Sequence, residues 1–272
     1  GGGGGRAHPG PARKTVRRNV YRKELFLQAN FRFLVADWAD LKGSATDPDH
    51  MVDWDDVILV EAGSHEPLSC PVCFDDPPAC PQVTLCGHAF CFPCISRHAL
   101  TNRREGQPAK CPMCFTPLRL ADLRGIRRRH IALPETRKMT RMTLLSRHRD
   151  SSVPTLARRS SSSSLIAAEA VTESGEWPLS AHALDGGACN VYAKYTLTSE
   201  EGVLGEEECA ALEARVAALA AEGGADAEAG LPYALLACDV LQSRMQAWSE
   251  KRARHVGMPP PEMGPSRKAA AA

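Results

Sequence analysis

Apolar positions in this chain come in short bursts until its last quarter, where helical stripes appear. Phe31, Phe33 and Val35 alternate imperfectly with Asn30, Arg32 and Leu34, which predicts a short strand, and order is expected from about Tyr21. Val57 to Val60 is a run of the buried-strand type. Pro67, Pro71, Pro77, Pro78 and Pro81 argue against helix in the next stretch, because proline fixes the backbone and lacks an N–H. Between Cys91 and Arg104 a short helix is predicted, with Ile95 and Leu100 apolar and Gly106 and Pro108 as its stop. Arg127 to His130 and Lys138 to Arg149 alternate too weakly to choose strand or helix. Two further helices are expected. Glu206 to Ala221 carries Leu212, Val216 and Leu219 on one face and stops at Gly223-Gly224; the second starts with Pro232 at its first position and runs to about Arg254, with Leu241, Met245 and Trp248 on one face. Stripes at this spacing predict a hairpin whose helices bury against each other.

The net charge of +1 conceals a segregation. From Arg103 to Arg149 thirteen bases face three acids (13 − 3 = +10), and from Glu169 to Glu228 two bases face thirteen acids (2 − 13 = −11). The first block is suited to anionic partners such as RNA. Gly1 to Asn19 mixes glycine, proline and base and reads as a solvated tail, and Ser160 to Ser164 as a linker open to phosphorylation. No apolar run approaches the ~18 residues that a membrane helix needs, so no membrane partner is expected.

The candidate chemistry lies in eight residues. Cys70, Cys73, Cys86, His88, Cys91, Cys94, Cys111 and Cys114 read C-x2-C-x12-C-x-H-x2-C-x2-C-x16-C-x2-C. Eight soft donors in four close pairs suit two tetrahedral zinc ions, and a two-residue gap lets both thiolates of a pair reach one metal. Disulfides would need an oxidising compartment, and Gly1 to Arg6 is not an apolar signal segment. Three Cys, one His, then four Cys is the ligand order of a RING finger; a PHD-type finger has its histidine fifth. The resemblance to RING fingers implies interleaved pairs, with Cys70, Cys73, Cys91 and Cys94 at one ion and Cys86, His88, Cys111 and Cys114 at the other. All eight positions are then filled, leaving none for a zinc-bound water, so both ions are expected to be structural. A segment this short lacks a core of its own, and structural zinc, contributing about 10 to 16 kcal/mol in peptide sites, is expected to replace it. Cys80, Cys189, Cys209 and Cys238 have no spaced partner and read as ordinary thiols.

The expected fold is a small α+β zinc-stabilised RING finger, a C3HC4 cross-brace, with short flanking strands and a C-terminal α-helical hairpin. Its divisions are a disordered basic tail (1–20), an ordered flank packing on the finger (21–66), the finger (67–120), a basic extension (121–159), a serine-rich and acidic linker (160–190), the helical hairpin (191–255) and a disordered tail (256–272). A start at Gly1 reads as a fragment of a longer protein.

The flank narrows the resemblance. Lys23-Glu24-Leu25-Phe26-Leu27-Gln28-Ala29-Asn30, Asp47-Pro48-Asp49 with Val52, Trp54 and Asp55, and Ser64-His65-Glu66 ahead of Cys70-Pro71-Val72-Cys73 resemble the RING finger protein ten family of ubiquitin ligases. Met142-Thr143-Leu144-Leu145 and Tyr192-Ala193-Lys194-Tyr195 echo the same family more weakly. The resemblance implies an E3 ubiquitin transferase that forms no covalent intermediate with ubiquitin and holds a ubiquitin-charged conjugating enzyme ready for attack by a substrate lysine. It implies a docking groove using Val72, His98 and Pro112; at His98, where many RING fingers carry an aromatic, a plain surface histidine is the competing reading. Many active members place Arg or Lys after the last ligand, and here Phe115 stands there, with Arg119 and Arg124 as candidate substitutes. Ribosomal or other RNA-associated substrates, and a cytoplasmic and also nuclear location, complete these expectations. The alternative is a nonenzymatic zinc-finger adaptor that binds protein or RNA.

Overall fold

The computed structural model describes residues 23–41, 43–44, 50–103, 105–140, 142, 144–147, 154–156, 179–180 and 193–256. Both terminal tails, the serine run, Asp47-Pro48-Asp49, Tyr192 and Cys189 lie outside them. After helix α1 (Lys23–Asn30) come strands β1 (Phe31–Ala36), β2 (Val57–Ser64), β3 (Pro81–Val83) and β4 (Ala89–Cys91), then helix α2 (Phe92–Thr101). Strands β5 (Ala109–Lys110), β6 (Pro117–Leu118), β7 (Arg124–His130), β8 (Leu145–Arg147), β9 (Pro154–Leu156), β10 (Leu179–Ser180) and β11 (Tyr195–Thr198) precede helices α3 (Glu201–Glu222) and α4 (Ala225–His255).

Seven strands form one sheet in the order β10-β11-β1-β2-β7-β3-β4. Its central strand β2 starts with four buried residues, Val57 to Val60, as a strand covered on both faces should. On one side of it β1 runs antiparallel; on the other, β7 runs parallel, pairing Leu59 with Gly125 and Val60 with Ile126. The far edge of β7 takes the β3–β4 hairpin through Gln82 and Val83. Arg127 to His130, left open by its pattern, is thus strand, and with Arg124, Gly125 and Ile126 it joins the N-terminal flank to the hairpin between Cys80 and Cys91. Gly125 leaves the space that the Glu208 carboxylate occupies, and a Cβ there would displace that carboxylate.

The expectation of a segment without a core needs correction. Phe92, Ile95, Ala99, Leu118 and Leu123 share one buried cluster with Leu212 of α3 and Ala237 and Leu241 of α4. The hairpin therefore covers α2, and burial adds to whatever metal contributes. A second cluster contains Phe33, Val35, Val57, Val60, Val83, Ile126 and Tyr195 of the sheet; Phe33 stacks on Tyr195 at 5.7 Å between ring centroids. The C-terminal part of α4 holds the flank: Arg252 binds Asp37 at 3.1 Å and the carboxylate of Glu201, and lies 4.7 Å from the Trp38 ring centroid. Lys251 meets Asp56 at 3.1 Å.

The helices also depart from their expected bounds. The first starts at Glu201, ahead of Glu206, although Gly202 and Gly205 are poor helix formers. Gly205 is where Met245 comes so close that a Cβ would lie 2.8 Å from its Cγ, so packing outweighs propensity. Pro232 is interior to α4, which begins at Ala225 directly after Gly223 and Gly224, both with positive φ. Proline leaves the Glu228 carbonyl without its helical partner, but Glu228 and Pro232 are exposed and water can take that place. Ala227 and Ala234, buried against Leu219 on either side of the proline, keep the helix continuous.

Two outcomes test this packing. Leu241→Ala, at a fully buried position, is expected to cost about 2 to 5 kcal/mol in chemical denaturation. Burial raises the carboxyl of Glu208 above its ordinary value, against the pull of Arg244. Its contribution to stability is therefore complete below the unfolded-state pKa and lost as pH rises through the folded-state one, and Glu208→Gln should flatten that slope in denaturation at a series of pH values.

Candidate metal centres and docking cleft

The eight predicted ligands converge in two groups, Cys70, Cys73, Cys91 and Cys94, and Cys86, His88, Cys111 and Cys114, with ligand atoms in each group within 4.8 Å of one another. This is the interleaving that the resemblance implies. Two similar turns build half of it. In Cys70-Pro71-Val72-Cys73-Phe74 the Phe74 N–H donates to the Cys70 carbonyl at 2.8 Å, and in Cys111-Pro112-Met113-Cys114-Phe115 the Phe115 N–H donates to the Cys111 carbonyl at 2.9 Å. Phe74 and Phe115 close these turns at φ 63° and 61°. The β3–β4 turn supplies Cys86 and His88, with Gly87 at φ 87° between them. Cys91 caps α2 and Cys94 lies in its first turn, where Pro93 forfeits no helical hydrogen bond.

The spacing fits zinc. Tetrahedral Zn–S bonds of ~2.3 Å place two sulfurs about 3.8 Å apart, and a nitrogen ligand slightly closer. Cys73 and Cys91 sulfurs stand 3.5 Å apart, and His88 Nδ1 lies 3.3 Å from Cys86 Sγ and 3.7 Å from Cys111 Sγ. Backbone N–H groups of Ala79 and Cys91 donate to the sulfurs of Cys91 and Cys70 at 3.2 and 3.3 Å. Left to themselves, such close thiols ionise unequally. Hydrogen bonding from Cys111 draws Cys86 down to about 3 while Cys111 is pushed up by the same contact, and hydrogen bonding from Cys91 takes Cys94 to about 6. A divalent cation in each group would deprotonate the whole set.

Residues 70–114 match the family described as zinc finger, C3HC4 type (RING finger). This segment is a RING finger. Likenesses to whole proteins are partial. An uncharacterized RING finger protein of Schizosaccharomyces pombe is 32% identical over 120 residues, covering 39% of this chain and 18% of that protein. The SLX8 subunit of the E3 ubiquitin-protein ligase complex SLX5-SLX8 of Saccharomyces cerevisiae is 38% identical over 66 residues, 24% of each chain. The E3 ubiquitin-protein ligase RMA2 of Arabidopsis thaliana is 38% identical over 81 residues, covering 26% of this chain and 40% of that one. The chain thus spans less than half the length of these relatives. No solved structure matches. No helix among the described residues is long and apolar enough to cross a membrane.

Of the three residues assigned to the RING finger's docking groove, His98 and Pro112 line a shallow cleft of about 320 Å³ with Asn102, Lys110 and Phe115. Val72 is not among its lining residues; it stands 46% exposed on the other knuckle. His98 is more than a free surface ring: its Nε2 lies 2.7 Å from the Lys110 carbonyl and its Nδ1 3.2 Å from the Asn102 amide nitrogen. The amide donates, so Nδ1 accepts and Nε2 carries the proton, tying α2 to β5. Phe115 is 72% exposed.

The proposed substitutes for a cation at Phe115 fare differently. Arg124 is only 3% exposed, donating to the carbonyls of Val57, Leu123 and Trp54 beneath the Trp54 ring, and cannot reach a partner. Arg119 is exposed but pairs with Asp122 at 2.9 Å. Cys80 is buried, and burial pushes its thiol well up, in keeping with an inert side chain. Sequence reasoning missed the trio of buried Gln82, buried Arg244 and partly buried Glu208. Its signal was a base at position 244 on the stripe of Leu241, Met245 and Trp248.

Chelation should remove two zinc ions per chain and unfold residues 70–114, read by metal analysis and loss of amide protection there. Cys111→Ser should lower bound zinc toward one, because the hard hydroxyl is a poor ligand.

Proposed function

We propose that the chain is a RING-type E3 ubiquitin ligase. The observation that carries this reading is the cross-braced RING finger with a shallow cleft beside its second knuckle, and the ligase names of relatives sharing that segment support it. When bound, the two zinc ions supply rigid crosslinks. The chain's own residues then do the work of positioning. The exposed Val72 and the cleft wall Pro112 offer apolar cover for a loop of a ubiquitin-conjugating enzyme, with His98 as a polar wall beside them, and the thioester it carries is held for attack by a substrate lysine. No cysteine of this chain takes ubiquitin in this scheme. Phe115 supplies packing without a charged donor, so ubiquitin is restrained less firmly than by a cation.

The flanking residues that resemble the RING finger protein ten family, together with the +10 block, support ribosomal or RNA-associated substrates. Zinc thiolates need a reducing compartment, which supports a cytoplasmic, and also nuclear, location.

Mixing the chain with ubiquitin-charged conjugating enzymes and following thioester discharge tests the reading. Val72→Ala and Pro112→Ala should each slow discharge by about tenfold, ~1.4 kcal/mol of lost contact, with two zincs retained. Phe115→Arg should speed it. Absence of discharge across a broad enzyme panel would favour the adaptor reading.

A further inference from the structure

The finger helix α2 has two faces with different neighbours. Cys94 serves a metal group and His98 lines the cleft, while Phe92, Ile95, Ser96 and Ala99 are buried, the three apolar ones in the cluster shared with α3 and α4. One cation sits in this second interface. Arg244 of α4 is 8% exposed, its Nη1 donating to Gln82 Oε1 on β3 at 3.1 Å and standing 3.6 Å from Glu208 Oε2 on α3. Its guanidinium lies 5.6 Å from the ring centroid of Phe92, the first residue of α2, and 6.0 Å from that of Trp248. The Gln82 amide in turn donates to Glu208 at 3.3 Å, and Glu208 presses on Gly125 of β7. Two elements of the finger, β3 and α2, and both helices of the hairpin thus meet at one buried charge.

A buried guanidinium with Nε and Nη2 lacking hydrogen-bond partners is a costly way to fill a core. A methionine would pack there without that penalty. What the charge adds is direction: Nη1 alone serves both Gln82 and Glu208 while the guanidinium lies by the Phe92 ring, a tie that an apolar side chain lacks.

We infer that Arg244 is a positioning residue for conjugating-enzyme docking, setting the orientation of α2, and hence of the cleft on its opposite side, from the C-terminal hairpin. The hairpin is then part of the docking platform. This rests on the ligase reading, but its mechanical half is measurable without it.

The experiment uses the full chain as wild type, Arg244→Met, Arg244→Lys and Leu219→Ala. Leu219 packs with Ala227 and Ala234 within the far end of the hairpin and serves as the control for simple loss of hairpin stability. Discharge is measured against conjugating-enzyme concentration, with zinc content and amide exchange of residues 92–101 recorded alongside. Arg244→Met should raise the half-saturating enzyme concentration roughly fivefold, leave the maximal rate and two zincs in place and speed exchange in α2, with Arg244→Lys recovering part of the loss. Leu219→Ala should change neither saturation nor exchange in α2. If Leu219→Ala matches Arg244→Met, or if Arg244→Met saturates like wild type, the positioning role is overturned while the ligase reading stands. If Arg244→Met loses zinc, Arg244→Lys decides on the same two readouts. A wild type that discharges no enzyme overturns the ligase reading and, with it, the docking role, and unchanged α2 exchange in Arg244→Met would then overturn the mechanical half as well.

Discussion

Repulsion between crowded sulfur atoms is the constraint on which this structure turns. Seven thiols and one imidazole are packed into two groups with ligand atoms less than 5 Å apart, a density that thiolates tolerate only around cations. Because each group draws on separated stretches of chain, meeting that constraint also fixes the path of everything between Cys70 and Cys114. The knuckles, the β3–β4 turn and the start of α2 have few alternatives once the sulfurs are placed.

The metal groups do not act alone. Strand β7 lies between β2 and β3, so one hydrogen-bonded sheet runs from the flank into the finger. Helix α4, about 46 Å long at 1.5 Å per residue, spans from the far end of the hairpin past α2 to Asp37 and Asp56 of the flank. Finger, flank and hairpin pack together, and the buried face of α2 is covered by the hairpin of its own chain.

How much of this could be read beforehand depended on how local the signal was. The ligands Cys70 to Cys114 and helix α2 were legible because spacing and helix stops act within a few residues. Arg124 was read as a candidate substitute for a cation at Phe115, and its burial was hidden because it involves Trp54, seventy residues earlier in the chain. The start of α3 was hidden by Gly205, whose value lies in the approach of Met245, and Pro232 looked like a helix start because its tolerated place depends on solvent exposure. The trio around the buried Arg244 joins three distant segments, and only packing brings them together.

Phe74 and Phe115 show what the knuckles favour. Both close a turn in the left-handed region, where a side chain beyond glycine costs on the order of 1 kcal/mol, and both rings face solvent, Phe74 at 80% exposure. Glycine would relax the backbone and hide nothing greasy from water. Two aromatic rings so placed leave apolar area hydrated at both knuckles, so any molecule that covered either ring would release that ordered water.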